Sequence, residues 1–548
     1  MNKIIAIDQS TSSTKAMLFD EQCKMLARCH VDHQQYYPQA GWVEHDAEGI
    51  YLNTVEAIRQ VIDHSSAVDH SPLTIDHSSD APANVQCSMF NVQSSEANVQ
   101  CSMFNVQSPE ANVQCSMFNV QSSEDNVQCS LAITNQRETV VVWDKTTGKP
   151  VYHALVWQDN RGAELCQQLK DQGESGRVFE KSGLLIDPNF SATGVRWILD
   201  NVEGAKQDAK DGKLLMGTIE TWLIWKLTGG KSFYTDTTNA SRTMLFNIHT
   251  MDWDDDLLDI FQIPRSMLAQ VLPCDAVFGE TTVEGLFDKP IPIAGVLGDS
   301  HGALVGQMCF TKGSGKVTYG TGSSVMVNIG EEPLPAPEGL VTSVGFSAFG
   351  RHFYGFEGNI YSTGATLKWI ADQLKLVNAP SEMEAEATTV DSTNGVYIVP
   401  AFAGLGAPWW KPNAKAGVVG MTFSTTRAHF LRAALESIAY QVKDLIEVMA
   451  KGTGGKLSEI CADGGPTKNH FLMQFQADLL DSPVVCTEVE DASALGAVIM
   501  NGFARKVWTS FDDVVGLRKV TQVIQPHHTD DMDLLYQGWR KAVEQIIQ

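Results

Sequence analysis

No run of apolar residues in this 548-residue chain approaches the length needed to span a membrane. Basic residues are also few: 40 Lys and Arg stand against 65 Asp and Glu, a formal charge of −25. Phosphate backbones and anionic membrane surfaces are held by basic faces, and none stands out, which argues against nucleic acid and membrane partners. The acidic excess names no substrate, because a solvated acidic surface accounts for it. Cysteine is sparse once one feature is set aside. Of the 11 cysteines, Cys87, Cys101, Cys115 and Cys129 are copies within a repeat, and the remaining seven show no C-x-x-C pair and no zinc-like spacing. Free thiols in a reducing cytosol are expected. At the N-terminus, Ile4-Ile-Ala-Ile7 is followed at once by Asp8, the pattern of a first strand and not of a signal peptide, so a cytoplasmic protein is expected. A Walker nucleotide loop is missing too: Gly229-Gly-Lys-Ser232 resembles its end, but the position of the earlier glycine is Trp225.

What is present is a globular composition, 43% hydrophobic and 19% charged, in a chain too long for one ordinary core. Residues 84–130 hold a 14-residue unit, Asn84-Val-Gln-Cys-Ser-Met-Phe90 followed by Asn91-Val-Gln-Ser-Ser-Glu-Ala97, which recurs from Asn98 and Asn112. A truncated fourth copy from Asn126 runs into Leu131-Ala-Ile-Thr134, which makes it a candidate for the start of a strand there. Upstream, Ile62-Asp-His-Ser, Val68-Asp-His-Ser and Ile75-Asp-His-Ser read as a second small expansion. The unit is shorter than solenoid repeats and rich in Asn, Gln and Ser, so a tolerated surface insertion at about 63–128 is expected, with an interaction segment as the alternative.

Elsewhere strands and helices alternate, which points to α/β layers. Residues 4–19 read as strand, small-residue turn, strand, and Lys316-Val-Thr-Tyr-Gly-Thr-Gly-Ser-Ser-Val-Met-Val-Asn328 repeats that pattern. Two such hairpins suggest a duplicated architecture with a cleft between its halves, a favoured place for ligands. Turns of Gly, Ser and Thr let backbone N–H groups approach phosphate oxygens closely, although most such turns are only tight hairpins. Asp8 ends the first strand, where a carboxylate can hold Mg²⁺ through water, and Lys15 adds a cation. Asp299 follows a short apolar strand and precedes a helix expected from Gly302; it is either an N-cap or a general base. Asp463 precedes a glycine pair at a turn that either admits an adenosine ring or ends a strand. His301 reads as a cap or packing residue, and His527-His528 lack partners for a metal site.

Several longer motifs then come into view: 41–46 (GWVEHD), 134–139 (TNQRET), Val156-Trp-Gln158, 235–249 with Asn239-Ala-Ser-Arg242, 400–408, and 471–476. Together they resemble the glycerol kinases, and 416–436 is similar to the second signature of the FGGY carbohydrate kinases. The likeness covers nearly the whole chain outside the insertion. It implies two actin-like, ribonuclease-H-like domains, 1–302 and 303–548, with the active site in the cleft between them. It also implies ATP and Mg²⁺, a small polyol or sugar as acceptor, and a homodimer. Residue by residue, the resemblance makes Asp299 the catalytic base and places Asp8 on the Mg²⁺ side. Ser12 and Lys15 would contact ATP phosphates, Gly320 and Thr321 would form the second phosphate turn, and Gly465 and Asn469 would border the adenosine. Arg137, Glu138 and Trp157 would hold the acceptor.

The chain also departs from the family pattern. Asn189 stands where the family has Tyr, Ser300 where it has Gln, and Ser324 where it has Phe, so two aromatic walls and one amide become smaller polar groups. A wider, more polar pocket follows, which brings in a four- or five-carbon polyol or ketose beside glycerol as acceptor. Lys15 replaces an Arg and keeps its charge without the planar fork, and Gly194 replaces a Lys. Two other classes remain as alternatives: an actin- or Hsp70-like ATPase with no acceptor, and a non-catalytic binding protein.

Overall fold

A computed structural model describes residues 2–68, 128–411, 413–455, 457–487, 491–527 and 531–548. Most of the repeat array, residues 84–127, lies outside the described residues, so neither reading of it is decided by the structure.

The first half is organised by strands β1 (Asn2–Gln9), β2 (Ser13–Phe19) and β3 (Met25–Asp32), helix α1 (Ala47–Val68), strands β4 (Gln128–Asn135), β5 (Val277–Thr281) and β6 (Ile291–Gly298), and helix α2 (Asp299–Gly306). The strands form one sheet in the order β5-β6-β4-β1-β2-β3. The central strand β1 pairs in parallel with β4, and β4 in parallel with β6. Ile4, Ile5, Ala6 and Ile7 are all buried, as a strand covered on both faces requires, which is why this stretch is a continuous apolar run and not an alternating one. The truncated repeat copy does supply the start of β4: Gln128-Cys129-Ser130 pair with Asn2, Lys3 and Ile4. Helix α1 continues to Val68, so the first unit of the small upstream expansion, Ile62-Asp-His-Ser65, belongs to the helix.

The second half repeats the plan with β7 (Ser314–Tyr319), β8 (Ser323–Gly330), β9 (Val341–Ala348), β10 (Arg351–Ile360), α3 (Arg427–Thr453), β11 (Glu459–Gly464), α4 (His470–Leu480), β12 (Val484–Thr487), α5 (Ala492–Ala504) and β13 (Val520–Ile524). Its sheet runs β9-β10-β8-β7-β11-β12-β13. An antiparallel hairpin, β1-β2 or β7-β8, is flanked in each sheet by two parallel strands and then an antiparallel edge strand. The duplication expected from the two hairpins is therefore present. The long helix α3 starts where Thr426 and His429 exchange capping hydrogen bonds, and it ends at Gly454, whose φ of 78° suits a residue without Cβ.

Helices α2 and α5 cross where the two halves meet, and glycines make the crossing possible. A Cβ on Gly306 would lie 2.0 Å from the Ala492 carbonyl oxygen, and one on Gly496 would lie 2.0 Å from that of Gly302. Helix α5 also packs on β1, β4 and β6 of the first sheet, where Asn501 Nδ2 donates to the carbonyls of Leu131 (3.1 Å) and Ala294 (2.8 Å). The start of α2 departs from the sequence expectation: the helix begins at Asp299, one turn ahead of Gly302.

Candidate active site

Three parallel strands of the first sheet end side by side. Asp8 on β1 is level with Thr134 on β4, and Asn135 on β4 is level with Gly298 on β6. The chain segments that leave these ends carry the turn at Ser10–Ser12, the tripeptide Gln136-Arg137-Glu138, and Asp299. In parallel sheets this carboxyl edge is where ligands bind. Glu138 adopts a positive φ of 63°, a strained conformation for a glutamate. Arg137 lies across Gly298, where a Cβ would meet its Cγ at 2.5 Å, so only glycine admits the arginine there.

A buried ionic chain links these residues. Arg137 Nε lies 3.0 Å from Asp299 Oδ1, while its Nη1 and Nη2 donate to Glu357 at 2.8 and 2.7 Å. Glu357 also pairs with Arg242 Nη1 at 2.9 Å, and Arg242 Nε in turn donates to Glu138. Burial opposes ionisation of Glu357, yet Arg137 and Arg242 hold its carboxyl well below the usual range. For Arg137 burial likewise works against the charge, and the carboxylates of Glu357, Glu138 and Asp299 outweigh it. Burial wins at Glu138, whose carboxyl is pushed up despite Arg242 and Arg137. Asp299 itself is not an N-cap, a place taken by Gly298, and its side chain is 40% exposed.

Trp157 stands 38% exposed, its indole N–H donating to Thr11 in the first turn at 3.0 Å. Asn189 is exposed and lines a small cavity together with Glu138, Arg161 and Gly194. Gly194 faces Val140 and Leu155, and nothing in the structure explains why it is not lysine. Ser300 and Ser324 approach to 3.4 Å from opposite halves, and the buried Lys316 donates to Ser324 at 3.0 Å and Thr318 at 3.3 Å. Burial lowers the Lys316 pKa against the pull of Asp463 and Glu357. His301 is fully buried behind this wall, with Nε2 3.1 Å from Ser343 Oγ, and burial keeps it neutral, as its packing role requires.

In the two hairpin turns, Ser12 and Thr321 are exposed. Tyr319 on β7 is level with Gly464 on β11, so Gly320 and Gly465 emerge as neighbours from one sheet edge. The side chain of Asn469 caps α4, accepting from the Leu472 N–H at 2.8 Å. Asp463 is internal, one residue before the end of β11, and accepts from Gln307 at 2.6 Å. Lys15 is held by two carboxylates, Asp8 at 3.1 Å and Asp491 at 2.8 Å. Burial raises the Asp8 carboxyl, with Lys15 opposing and the charges of Asp491 and Asp299 adding to the rise. Asp8 and Asp491 flank the one lysine and the charge of Asp299 is felt at Asp8, so oxygen donors outnumber the cation, although no three acidic or other ligand side chains among the described residues could hold a metal ion by themselves. Asp491 Oδ2 is buried without a hydrogen bond, although Arg28 Nη1 lies 3.1 Å away. Such a donor set fits Mg²⁺ held through water and phosphate. His527 donates its backbone N–H to Asp478, while His528 lies outside the described residues.

Four contributors do not stand out in the sequence: Arg242, Glu357, Lys316 and Asp491. Glu357 carries a signal, being the one acid in the otherwise uncharged stretch 353–360 of a buried strand. Arg242 and Lys316 lie inside motifs already noted, but the partners of Arg242, Glu138 and Glu357, are far away in sequence.

Residues 3–81 and 105–306 match the sequence pattern of the FGGY family of carbohydrate kinases, N-terminal domain, and residues 315–505 match that of its C-terminal domain. The chain is 43% identical over 548 residues to glycerol kinase 1 of Thermotoga maritima, covering 99% of both chains. Among solved structures it is similar to Plasmodium falciparum glycerol kinase with ADP, at 32% identity and a TM-score of 0.85, covering 100% of this chain and 99% of that one. The ligand-bound xylulose kinase of Lactobacillus acidophilus shares the fold at 19% identity, with a TM-score of 0.79 over 99% and 97% of the two chains.

Proposed function

The chain belongs to the FGGY family of carbohydrate kinases, and from that premise we propose that it transfers the γ-phosphoryl group of ATP to a hydroxyl of glycerol or a close polyol relative. The observation that carries this reading is the contact of Arg137, next to Glu138, with Asp299 at the start of α2, where Ser300 also meets Ser324 of the second hairpin. An ATPase without an acceptor has no use for that acceptor-side set.

In the proposed reaction the acceptor oxygen attacks the γ-phosphorus, the bond to the β-bridging oxygen breaks, and ADP leaves. Asp299 takes the hydroxyl proton; it is accessible, and Arg137 holds its carboxylate in place. Arg137 and Glu138 give the acceptor one donor and one acceptor of hydrogen bonds, and Trp157 packs on its C–H surface. Backbone N–H groups of the Ser10–Ser12 and Gly320–Gly322 turns cradle the phosphates, with Gly465 and Asn469 at the nucleoside end. Mg²⁺ supplies charge neutralisation on the phosphates when bound, and Asp8, with Asp299 and Asp491 nearby, would hold it. Lys15 serves this site by orienting Asp8 and Asp491.

A second reading, an acceptor of four or five carbons, draws support from the polar wall of Lys316, Ser324 and Ser300. The eight cysteines of the described residues are all free, which supports a reducing, cytoplasmic setting, and no helix among those residues is long and apolar enough to cross a membrane. A homodimer is the family-based expectation. The test is ADP release from the purified protein with MgATP and glycerol, erythritol, a pentitol, a ketopentose or no acceptor. Stimulation by glycerol is expected. Stimulation by a longer acceptor alone selects the second reading, and turnover indifferent to every acceptor overturns both.

A further inference from the structure

The residue that joins the acceptor side to the nucleotide-bearing half is Glu357. It sits on β10 of the second sheet, yet its carboxylate closes on the guanidinium of Arg137, which follows β4 of the first. Both oxygens are used, at 2.7 and 2.8 Å, and Arg242 Nη1 adds a third contact at 2.9 Å. The side chain of Glu357 is 1% exposed, so it does not itself reach solvent in the cleft.

Guanidinium geometry gives this contact a consequence. Arginine carries five N–H bonds in one plane. Glu357 occupies one on each terminal nitrogen, and Nε, although 3.0 Å from Asp299 Oδ1, makes no hydrogen bond. The second hydrogen on Nη2 lies, by covalent geometry, on the same edge of the plane as Nε–H, so that donor edge is left open with Asp299 beside it. An oxygen placed there is within reach of a donor of Arg137 and of the carboxylate of Asp299 at once. Fixing the plane therefore fixes where an acceptor hydroxyl sits relative to the base. A lysine, or an arginine free to rotate about its last torsions, does not define that edge.

We propose that Glu357 is a positioning residue for the acceptor: it locks the Arg137 plane from the second domain, so that the remaining donor edge and Asp299 share one hydroxyl. The proposal rests on the kinase reading above. It assigns the specificity of acceptor capture to a residue that touches neither substrate, and it makes that capture depend on how the second sheet sits against the first.

The test compares wild type, Glu357→Gln, Arg137→Lys and the double variant, with KM for glycerol, KM for ATP and kcat measured separately. Glu357→Gln keeps the shape but offers one oxygen, so KM for glycerol is expected to rise tenfold or more, while KM for ATP stays within about threefold. Because Glu357 acts through Arg137, the two substitutions together are expected to cost far less than the product of their separate effects. Glu357→Asp, charged but one methylene shorter, is expected to fall between wild type and Gln, and it is read by the same criteria if the Gln variant does not fold. A folded variant with wild-type KM for glycerol, equal changes in both KM values, or multiplicative effects in the double variant overturns the proposal. A wild type that no acceptor stimulates overturns the kinase reading instead.

Discussion

Gly496→Ala is a one-carbon change whose effect follows from the crossing of α2 and α5. The added Cβ would lie 2.0 Å from the carbonyl oxygen of Gly302, 2.7 Å from its carbonyl carbon and 2.8 Å from its Cα. Ordinary contact begins near 3.4 Å, so the helices must separate by about 1.4 Å. Every obstructing atom is backbone, and no side chain can rotate away. Overpacking of this kind costs about 1–3 kcal/mol. The displacement also reaches the chemistry, because Asp299 begins α2 one turn before Gly302 and Asp491, which holds Lys15, directly precedes α5. A misplacement of about 1 Å can cost on the order of 100-fold in rate. The assay is coupled ADP release with glycerol, alongside thermal unfolding, with Gly516→Ala as control because a Cβ added there meets nothing within 4 Å. The expected result is a fall in kcat of about 100-fold with a modest loss of stability, and a neutral control. A Gly496→Ala enzyme with kcat within about threefold of wild type would refute the reasoning.

Two further outcomes are expected. His45 is buried and burial lowers its pKa from 6.5 to about 4, so the folded state resists its protonation. A depressed folded value means that the associated stability is present above pH 6.5 and is lost as pH falls toward 4, by about 3 kcal/mol for a shift of this size. Denaturant titrations at about pH 7 and 4.5, on either side of most of that loss, should therefore show a smaller acid loss in His45→Gln than in wild type, and equal losses would contradict the assignment. Deleting residues 83–124 should leave kcat/KM within about twofold, because α1 ends at Val68, β4 begins at Gln128, and the family match passes over 82–104. Loss of activity with the fold retained would give the insertion a working role.

The duplicated hairpins and the strand-end positions of Asp8 and Asp299 are legible in the sequence because they are local: an apolar run, then small residues, then a charge. The Arg137-Glu138 pair is legible through its motif. What binds that pair is not, since Arg242 and Glu357 lie 104 and 220 positions away from their respective partners, and only tertiary folding, for Glu357 the meeting of the two sheets, brings them together. Lys15 shows the same limit. Its charge suggests a phosphate contact, and the structure adds what the sequence does not show, Asp8 at seven positions' distance and Asp491 at 476. Helix α2 starts one turn ahead of its expected place: the apolar run after Gly302 marks the helix in the sequence, whereas the fold sets the boundary at the end of β6, where Gly298 leaves the sheet.

The central claim is that Asp299 takes the proton of a polyol hydroxyl as MgATP phosphorylates it. Asp299→Asn keeps the shape and removes the base, so glycerol-dependent ADP release should fall by about 10²–10⁴ in kcat while KM for ATP holds. A variant that keeps kcat within tenfold of wild type, or a wild type whose ADP release ignores glycerol, would contradict the account.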